Sequence, residues 1–318
     1  MGYILVTGSN GFVGSKLIDM MLTKGYRILG LSTSANKRQE NENYVHIKVD
    51  ITQCIEIESI FQKYNVEAVI HLAAIAHLKN RKNIDWNEFY RVNTLASKSL
   101  FNVAIKYEAD VFFSSTVDVY GDNRTSLITE EDAISPISNY AKSKAIAEKE
   151  LIELANSNSV NYGIGRFAPI YDREYMKDPY KRIYIRYPNT AFKIGKGKNY
   201  HFVSVNSVVD FIMEWIVSRK NISGIYNVCD NDLINSIEFI KLEQQVGNSK
   251  KVIYLPNFIF GFLKPCLKIM NALLKNEKLL KIDMNLHKLL SPAKYSVDKM
   301  NSVYRTKWNL KNTVYEDV

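Results

Sequence analysis

Through its first half the chain alternates two patterns of apolar and polar positions. Short, nearly continuous apolar runs at Tyr3–Thr7, Arg27–Ser32, Tyr44–Val49, Ala68–Leu72, Val111–Ser115 and Tyr162–Phe167 have the length and β-branched content of strands. Between them lie Phe12–Lys24, Ile55–Tyr64, Glu88–Tyr107 and Tyr140–Asn156, where apolar residues recur at helical spacing. In the first of these, Val13, Leu17, Met20 and Met21 form one stripe. Strands apolar on both sides need cover on both faces. The pattern therefore predicts an α/β fold, a doubly wound parallel sheet. Beyond Tyr171 the alternation lapses. Residues 172–199 are rich in Lys, Arg, Tyr and Pro; Val208–Val217 and Asn235–Val246 read as helices, Gly224–Val228 as a strand, and the stretch from Pro256 as mostly helical. The expected division is a sheet domain over 1–171, with returning segments from about 200–230, and a smaller lobe formed mainly by 172–318.

The turn between the first strand and first helix reads Thr7-Gly8-Ser9-Asn10-Gly11-Phe12-Val13-Gly14. Small residues there let the backbone turn tightly and approach a pyrophosphate, and the helix start offers free N–H groups. Further on, Tyr140 and Lys144 are four apart on a predicted helix and share a face. An ammonium beside a phenol is expected to lower the tyrosine pKa and make it a usable base.

Composition narrows the class. Apolar residues make up 46% and charged residues 24% of 318, which excludes fibrous and disordered chains. A net charge of +9, spread along the chain, suits an anionic small ligand such as a phosphate ester better than a nucleic acid. Cys54, Cys229 and Cys266 stand far apart, so neither a disulfide framework nor a zinc site is expected. His77 is six residues from His71 with no carboxylate pair beside it, and no metal is expected there either. No basic leader precedes the first strand, and Val6 stands where myristoylation wants Ser or Thr. The apolar stretch near Phe258–Leu267 is broken by Gly261, Lys264 and Pro265. A cytoplasmic protein is expected. Phe258–Leu263, with Lys264, Lys268, Lys275, Lys278 and Lys281 behind it, is expected to be a helix with a solvated lysine face rather than a membrane anchor.

Taken in order, several motifs resemble the short-chain dehydrogenase/reductase superfamily, specifically its extended branch, the NAD-dependent epimerase/dehydratase family. They are T-G-x-x-G-x-x-G from Thr7, Asp50-Ile51, His71-Leu72-Ala73-Ala74, Asn93, Ser114-Ser115-Thr116-Val117-Asp118-Val119-Tyr120-Gly121, Tyr140-Ala141-Lys142-Ser143-Lys144 and Gly224-Ile225-Tyr226-Asn227-Val228. The resemblance implies a Rossmann sheet holding NAD or NADP. It places cofactor contacts at Gly8, Asn10, Gly11, Phe12, Val13, Gly14, Ser32, Thr33, Asp50, Ile51, Leu72, Ala73, Ala74, Asn93, Ser114 and Phe167, with Tyr140 and Lys144. It implies that Thr116 bridges substrate oxygen and Tyr140, that Tyr140 takes a proton from a sugar hydroxyl, and that hydride leaves the carbon for the nicotinamide. The second strand ends in Ser32-Thr33-Ser34 without a carboxylate, and Lys37 and Arg38 follow, which leans towards NADP.

Members of this branch act on nucleotide-linked sugars as 4-epimerases, 4,6-dehydratases and 4-keto reductases. Thr116-Val117-Asp118 replaces the dehydratases' T-D-E, so the acid position is apolar while Asp118 remains as a base. His71-Leu72-Ala73-Ala74-Ile75-Ala76-His77 and Leu255-Pro256 resemble the NADPH-dependent 4-keto-6-deoxy-sugar reductases, with His77 facing substrate; Val119-Tyr120-Gly121 resembles the epimerases. The expected reaction is hydride and proton transfer at the sugar C4 of a nucleotide diphosphate sugar. A non-sugar ketone reductase and a non-catalytic dinucleotide sensor are the other readings. In the second lobe, an extended run would put Arg182, Tyr184 and Arg186 on one face for the diphosphate and base, with Lys193, Lys196 and Lys198 behind. A homodimer is expected through the two long helices, from apolar or small residues at Leu95, Ala96, Ser99, Leu100, Val103, Ala104, Ala141, Ala145, Leu151, Ile152 and Ala155.

Overall fold

The computed structural model describes residues 2–36, 38–76, 85–121, 127–260, 265, 269–270 and 277–316. Seven strands form one sheet: β1 (Tyr3–Thr7), β2 (Ile28–Ser32), β3 (Tyr44–Lys48), β4 (Val66–His71), β5 (Asp110–Thr116), β6 (Tyr162–Phe167) and β12 (Gly224–Val228). Their order is β3-β2-β1-β4-β5-β6-β12, and every pairing is parallel. The strand order reverses direction between β1 and β4. In open parallel sheets that crevice, at the carboxyl ends of the strands, is where ligands bind.

Alternation along each strand sorts its residues between two apolar layers. Ile4 and Val6 of β1, Ala68 and Ile70 of β4 and Phe112 of β5 pack under α1 (Phe12–Thr23) and α7 (Val205–Ser218). Leu5, Val69, Val111 and Phe113 face the other way, under α2 (Cys54–Lys63), α4 (Ala96–Lys106) and α5 (Asn139–Asn158). Both faces are thus covered, which explains the near-continuous apolar strands.

The helix expected over Glu88–Tyr107 is three pieces. A short α3 (Trp86–Phe89), capped by Asp85, runs into a π-helical segment, Tyr90–Leu95, and then into α4. The apolar surplus expected to form a homodimer is largely taken up within the chain. Ala96, Leu100, Ala104, Ala141, Ala145, Leu151 and Ala155 are all buried, while Leu95 stays 45% exposed.

The second lobe is more ordered than its sequence suggests. Residues 172–199 contain a one-turn α6 (Lys177–Tyr180), β8 (Tyr184–Arg186) and β9 (Asn189–Ile194). These join the parallel β14 (Ser249–Leu255) in a sheet ordered β14-β9-β8. Tyr180, Tyr184 and Phe239 pack beneath it, and the Tyr184 and Tyr315 hydroxyls both donate to the buried Glu243 carboxylate. Helix Glu277–Leu290 returns across β9, with Leu286, Leu289 and Leu290 against Phe192 and Ile194.

Candidate active site

The glycine loop lies at the carboxyl end of β1, and its glycines answer to particular contacts. Gly8 has φ +70, and a Cβ there would lie 3.0 Å from the Ala73 nitrogen. A Cβ on Gly11 would stand 2.9 Å from the Gly8 carbonyl oxygen, and one on Gly14 would collide with that same oxygen. The loop is therefore folded tightly against the strand β4 exit and leaves the start of α1 open. Phe12 packs on Tyr175 at 5.0 Å, and Lys16 pairs with Asp172 at 2.8 Å, tying the loop to the second lobe. Asn10 Nδ2 lies within hydrogen-bond distance of Ser32 Oγ, Ser34 Oγ and the Ala35 carbonyl, while its buried Oδ1 has no partner. A glycine cradle at a helix start with an unused acceptor beside it fits a dinucleotide, whose phosphates seek N–H groups and whose ribose offers hydroxyl donors.

A continuous hydrogen-bonded chain connects this loop to the reacting end. Ala73 N–H donates to Thr7 Oγ1, so the Thr7 hydrogen is directed to His71 Nδ1 at 2.7 Å. Ser97 Oγ donates to the Asn93 carbonyl, so it accepts from His71 Nε2 at 2.8 Å. The network assigns His71 the neutral Nε2–H form. Burial, with the Lys144 charge adding to it, pulls its pKa down to about 3. His71 is a brace at the end of β4.

Asn93, expected as a cofactor contact, is also a brace. It is fully buried in the π segment. Its Oδ1 accepts from Ile75 N–H at 2.8 Å, and its Nδ2 donates to the Ile75 carbonyl and to Ser143 Oγ. Every polar atom of its amide is engaged with protein. The extra residue of the π turn puts Asn93 between the β4 exit loop and α5.

Ser138 caps α5 by accepting from Ala141 N–H, and Tyr140 follows in the first turn. Tyr140 is half-buried, edge-on to Phe89 at 6.4 Å, and its carbonyl accepts from Ser143 Oγ. Lys144, one turn on, is 1% exposed; its Nζ donates to the Ser114 carbonyl at 2.7 Å and lies 4.5 Å from the Phe113 ring centroid. Burial lowers its pKa to about 7, opposed by the Glu148 carboxylate. The lowered tyrosine pKa expected from the sequence is not what the structure gives. Desolvation, and secondarily the charge of Asp118, pushes the Tyr140 phenol up. One of the Lys144 N–H groups is directed to the Ser114 carbonyl.

Thr116 closes β5, nearly buried, and accepts from Asp118 N–H at 3.2 Å, which leaves its own hydrogen free to donate. Val117 is buried, 3% exposed. Asp118 is held by Lys288 Nζ at 2.6 Å, a partner from helix Glu277–Leu290 that no local motif announces. Below Thr116, Ser115 donates to Glu148, which also holds Arg166 at 2.7 Å. Arg166 in turn donates to the Tyr120 hydroxyl, and Tyr120 to Asn227. This buried network fixes the end of β5, and no motif in the sequence announces it.

The remaining expected residues divide. Leu72, Ala73 and Ala74 line the β4 exit with partial or full exposure; Ser114 lies within β5, and Phe167 ends the neighbouring β6. Asp50 folds its carboxylate back onto Thr52 N–H and Oγ1, and Ile51 is buried. Ser32 bonds His46 Nε2 at 2.9 Å, and Thr33 is exposed. Arg38 bears on the lean to NADP. Its guanidinium is committed to Asp19 at 2.9 Å and to the Ser15 carbonyl and hydroxyl, which leaves that lean without a free guanidinium. Lys37, His77 and Cys266 lie outside the described residues. Arg182 and Arg186 do not share a face, because the run is extended only over 184–186. Arg182 sits in the preceding turn, over the Tyr200 ring at 5.6 Å, with its buried Nε unpartnered and the Asp118 charge nearby. Arg186 is exposed, and Tyr184 points into the lobe core. Among the described residues no cluster could hold a metal ion, and no helix is long and apolar enough to cross a membrane.

Residues 4–229 match the family described as NAD dependent epimerase/dehydratase. The chain belongs to this family, and it is a member of an enzyme family that uses NAD. A putative UDP-glucose 4-epimerase of Methanocaldococcus jannaschii is 34% identical over 175 residues, 53% of this chain and 56% of the relative. A dTDP-glucose 4,6-dehydratase of Haemophilus influenzae is 35% identical over 191 residues, 50% of this chain and 56% of the relative. The chain thus spans about half the length of these relatives. Among solved structures, MoeE5 in complex with UDP-glucuronic acid and NAD superposes with a TM-score of 0.73 at 19% identity, covering 99% of this chain and 98% of that one. That likeness shows the shared fold, a Rossmann-type parallel sheet with smaller C-terminal sheets.

Proposed function

We propose that the chain transfers hydride and proton at C4 of a nucleotide diphosphate sugar, with NAD as cofactor, and that epimerisation is its reaction. The observation that carries the reading is Thr116 at the exit of β5 and Tyr140 in the first turn of α5, with the buried Lys144 of that helix tethered to the Ser114 carbonyl of β5. Residues 1–171, with the returning strand, hold the dinucleotide; 172–318 mainly hold the sugar nucleotide. Gly8, Gly11, Gly14 and Asn10 hold the phosphates and ribose. When bound, the nicotinamide accepts hydride from the sugar carbon and returns it.

Tyr140 then serves as the acid and base at the sugar hydroxyl. Thr116 donates its free hydrogen to the substrate oxygen, and Lys144 supplies positive charge one turn away. Arg182, half-buried and with an unpartnered Nε, is the residue proposed for the diphosphate. Val117 has no proton to give and Asp118 is neutralised by Lys288, which favours C4 chemistry over dehydration. Pairing of two copies through the π-helical segment, α4 and α5 belongs to this proposal, resting on the exposed Leu95 at the end of that segment; light scattering tests it.

The test is a titration of NAD and NADP, followed by a panel of UDP-, GDP-, dTDP- and CDP-sugars on the NAD-loaded protein. The reading expects NAD binding and conversion of at least one sugar nucleotide to its C4 epimer. Binding of no dinucleotide, or of no sugar nucleotide, contradicts it.

A further inference from the structure

Strand β2 ends at Ser32 and runs on into Thr33 and Ser34, with no carboxylate to hold a ribose hydroxyl or to repel a phosphate there. Asn10 ties the glycine loop to this end. Its Nδ2 donates to Ser32 Oγ at 2.9 Å, and to Ser34 Oγ and the Ala35 carbonyl at 2.8 Å each. A carbonyl takes only a donor, so the Ala35 contact fixes which way the amide points. Asn10 Oδ1 is thereby left as a buried acceptor with no partner among the described residues. A ribose hydroxyl can donate to such an acceptor. A 2′-phosphate dianion carries acceptors only and would meet it with repulsion.

The loop after β2 also carries a cation that is turned away. Arg38 lays its guanidinium against α1, where Nη2 donates to the Ser15 carbonyl and hydroxyl, each at 2.7 Å, and Nε donates to Asp19 Oδ1 at 2.9 Å. Ser15 and Asp19 are one turn apart on α1 and share a face. The Arg38 side chain is 15% exposed and that of Asp19 is 64% exposed. An ion pair with so exposed a partner contributes little to stability. Its consequence for charge is larger. The pair is neutral, so the guanidinium brings no net positive charge to the loop that follows β2. A 2′-phosphate depends on such a charge, since it carries close to two negative charges near neutral pH. A strand that ends in serine with an arginine behind it would by itself suit that phosphate. Asp19 is what reverses the outcome here.

We propose that Asp19 is a specificity-determining residue that keeps the site for NAD, by holding Arg38 on α1 and cancelling its charge. The inference rests on the dinucleotide reading given above and extends it to a helix residue outside the glycine loop. It concerns binding alone and its test needs no turnover.

The test is calorimetric titration of NAD and of NADP into the full wild-type chain, Asp19→Asn, and Asp19→Asn combined with Arg38→Ala. Lys37 is kept in all three, so its charge is common to every arm. The wild type should bind NAD and hold NADP more weakly. Asp19→Asn keeps the shape of the side chain and removes its charge. It should tighten NADP by about ten-fold and leave NAD within about two-fold, the second result also showing that the variant is folded. Added salt should shrink the gain, and the double variant should lose it. No gain for NADP in Asp19→Asn overturns the proposal. A gain that survives in the double variant overturns it too, because the effect then comes from removing a repelling carboxylate and not from Arg38. So do equal wild-type affinities for NAD and NADP. A wild-type chain that binds neither dinucleotide overturns the function proposed above, and this inference with it, before any variant is compared.

Discussion

Tyr140 and Lys144, the proposed acid–base pair, meet different physics than their spacing suggests. Lys144 is buried, its proton is directed to the Ser114 carbonyl, and its pKa is near 7. Its folded value lies below the ordinary 10.5, so between those pH values the unfolded chain holds the extra proton. Stability contributed at this site therefore rises with pH from about 7 towards 10.5. In denaturant titrations, wild-type protein should gain stability relative to Lys144→Met across that window; a flat or falling difference contradicts the assignment. Tyr140→Phe removes the proposed proton-transfer group while leaving the glycine loop intact. Turnover should fall by roughly 10²–10⁴-fold with NAD affinity retained, as measured by calorimetry beside initial rates.

At the scale of elements, the active end is built by helices placed against strand exits, and Asn93 shows how. The π turn over Tyr90–Leu95 points its amide at Ile75 and Ser143. Asn93→Ala strands a buried N–H and C=O, at a cost of about 1–3 kcal/mol. The variant should melt lower and lose kcat more than cofactor affinity, because the first turn of α5 loses its brace. A variant with wild-type melting contradicts this role. The strand and helix pattern of the sheet was legible in the sequence because period and burial agree there: Ile4 and Leu5 do face opposite layers. The glycine loop and the positions of Thr116, Tyr140 and Lys144 were legible for the same reason, since each follows a strand exit or helix start. The π turn was not, because its residues keep ordinary helical propensity. Nor was β14, whose Lys250, Lys251 and Tyr254 break any apolar run. The Asp118–Lys288 pair spans 170 positions, a separation that no local pattern reports.

Across the whole molecule, the second lobe brings its charges to the sheet unevenly. Arg182 is half-buried beside Tyr200 and within reach of Asp118's charge, whereas Arg186 is exposed at the far end of β8. Arg182→Ala should therefore weaken UDP binding by about ten-fold, the loss of one charge-assisted phosphate contact, and Arg186→Ala should leave it unchanged. Equal effects of the two replacements contradict the placement of the diphosphate. The proposal, with dinucleotide on the sheet, sugar nucleotide in the lobe and C4 as the reacting carbon, is addressed most directly by a single measurement. The NAD-loaded protein is incubated in deuterium oxide with the sugar nucleotide it binds, and the product is read by proton nuclear magnetic resonance. The account predicts inversion at C4 with the C4 hydrogen retained, because hydride leaves and returns without meeting solvent, and no deuterium at C5. Deuterium at C5 with loss of the C6 hydroxyl, or conversion that persists unchanged in Tyr140→Phe, would contradict it.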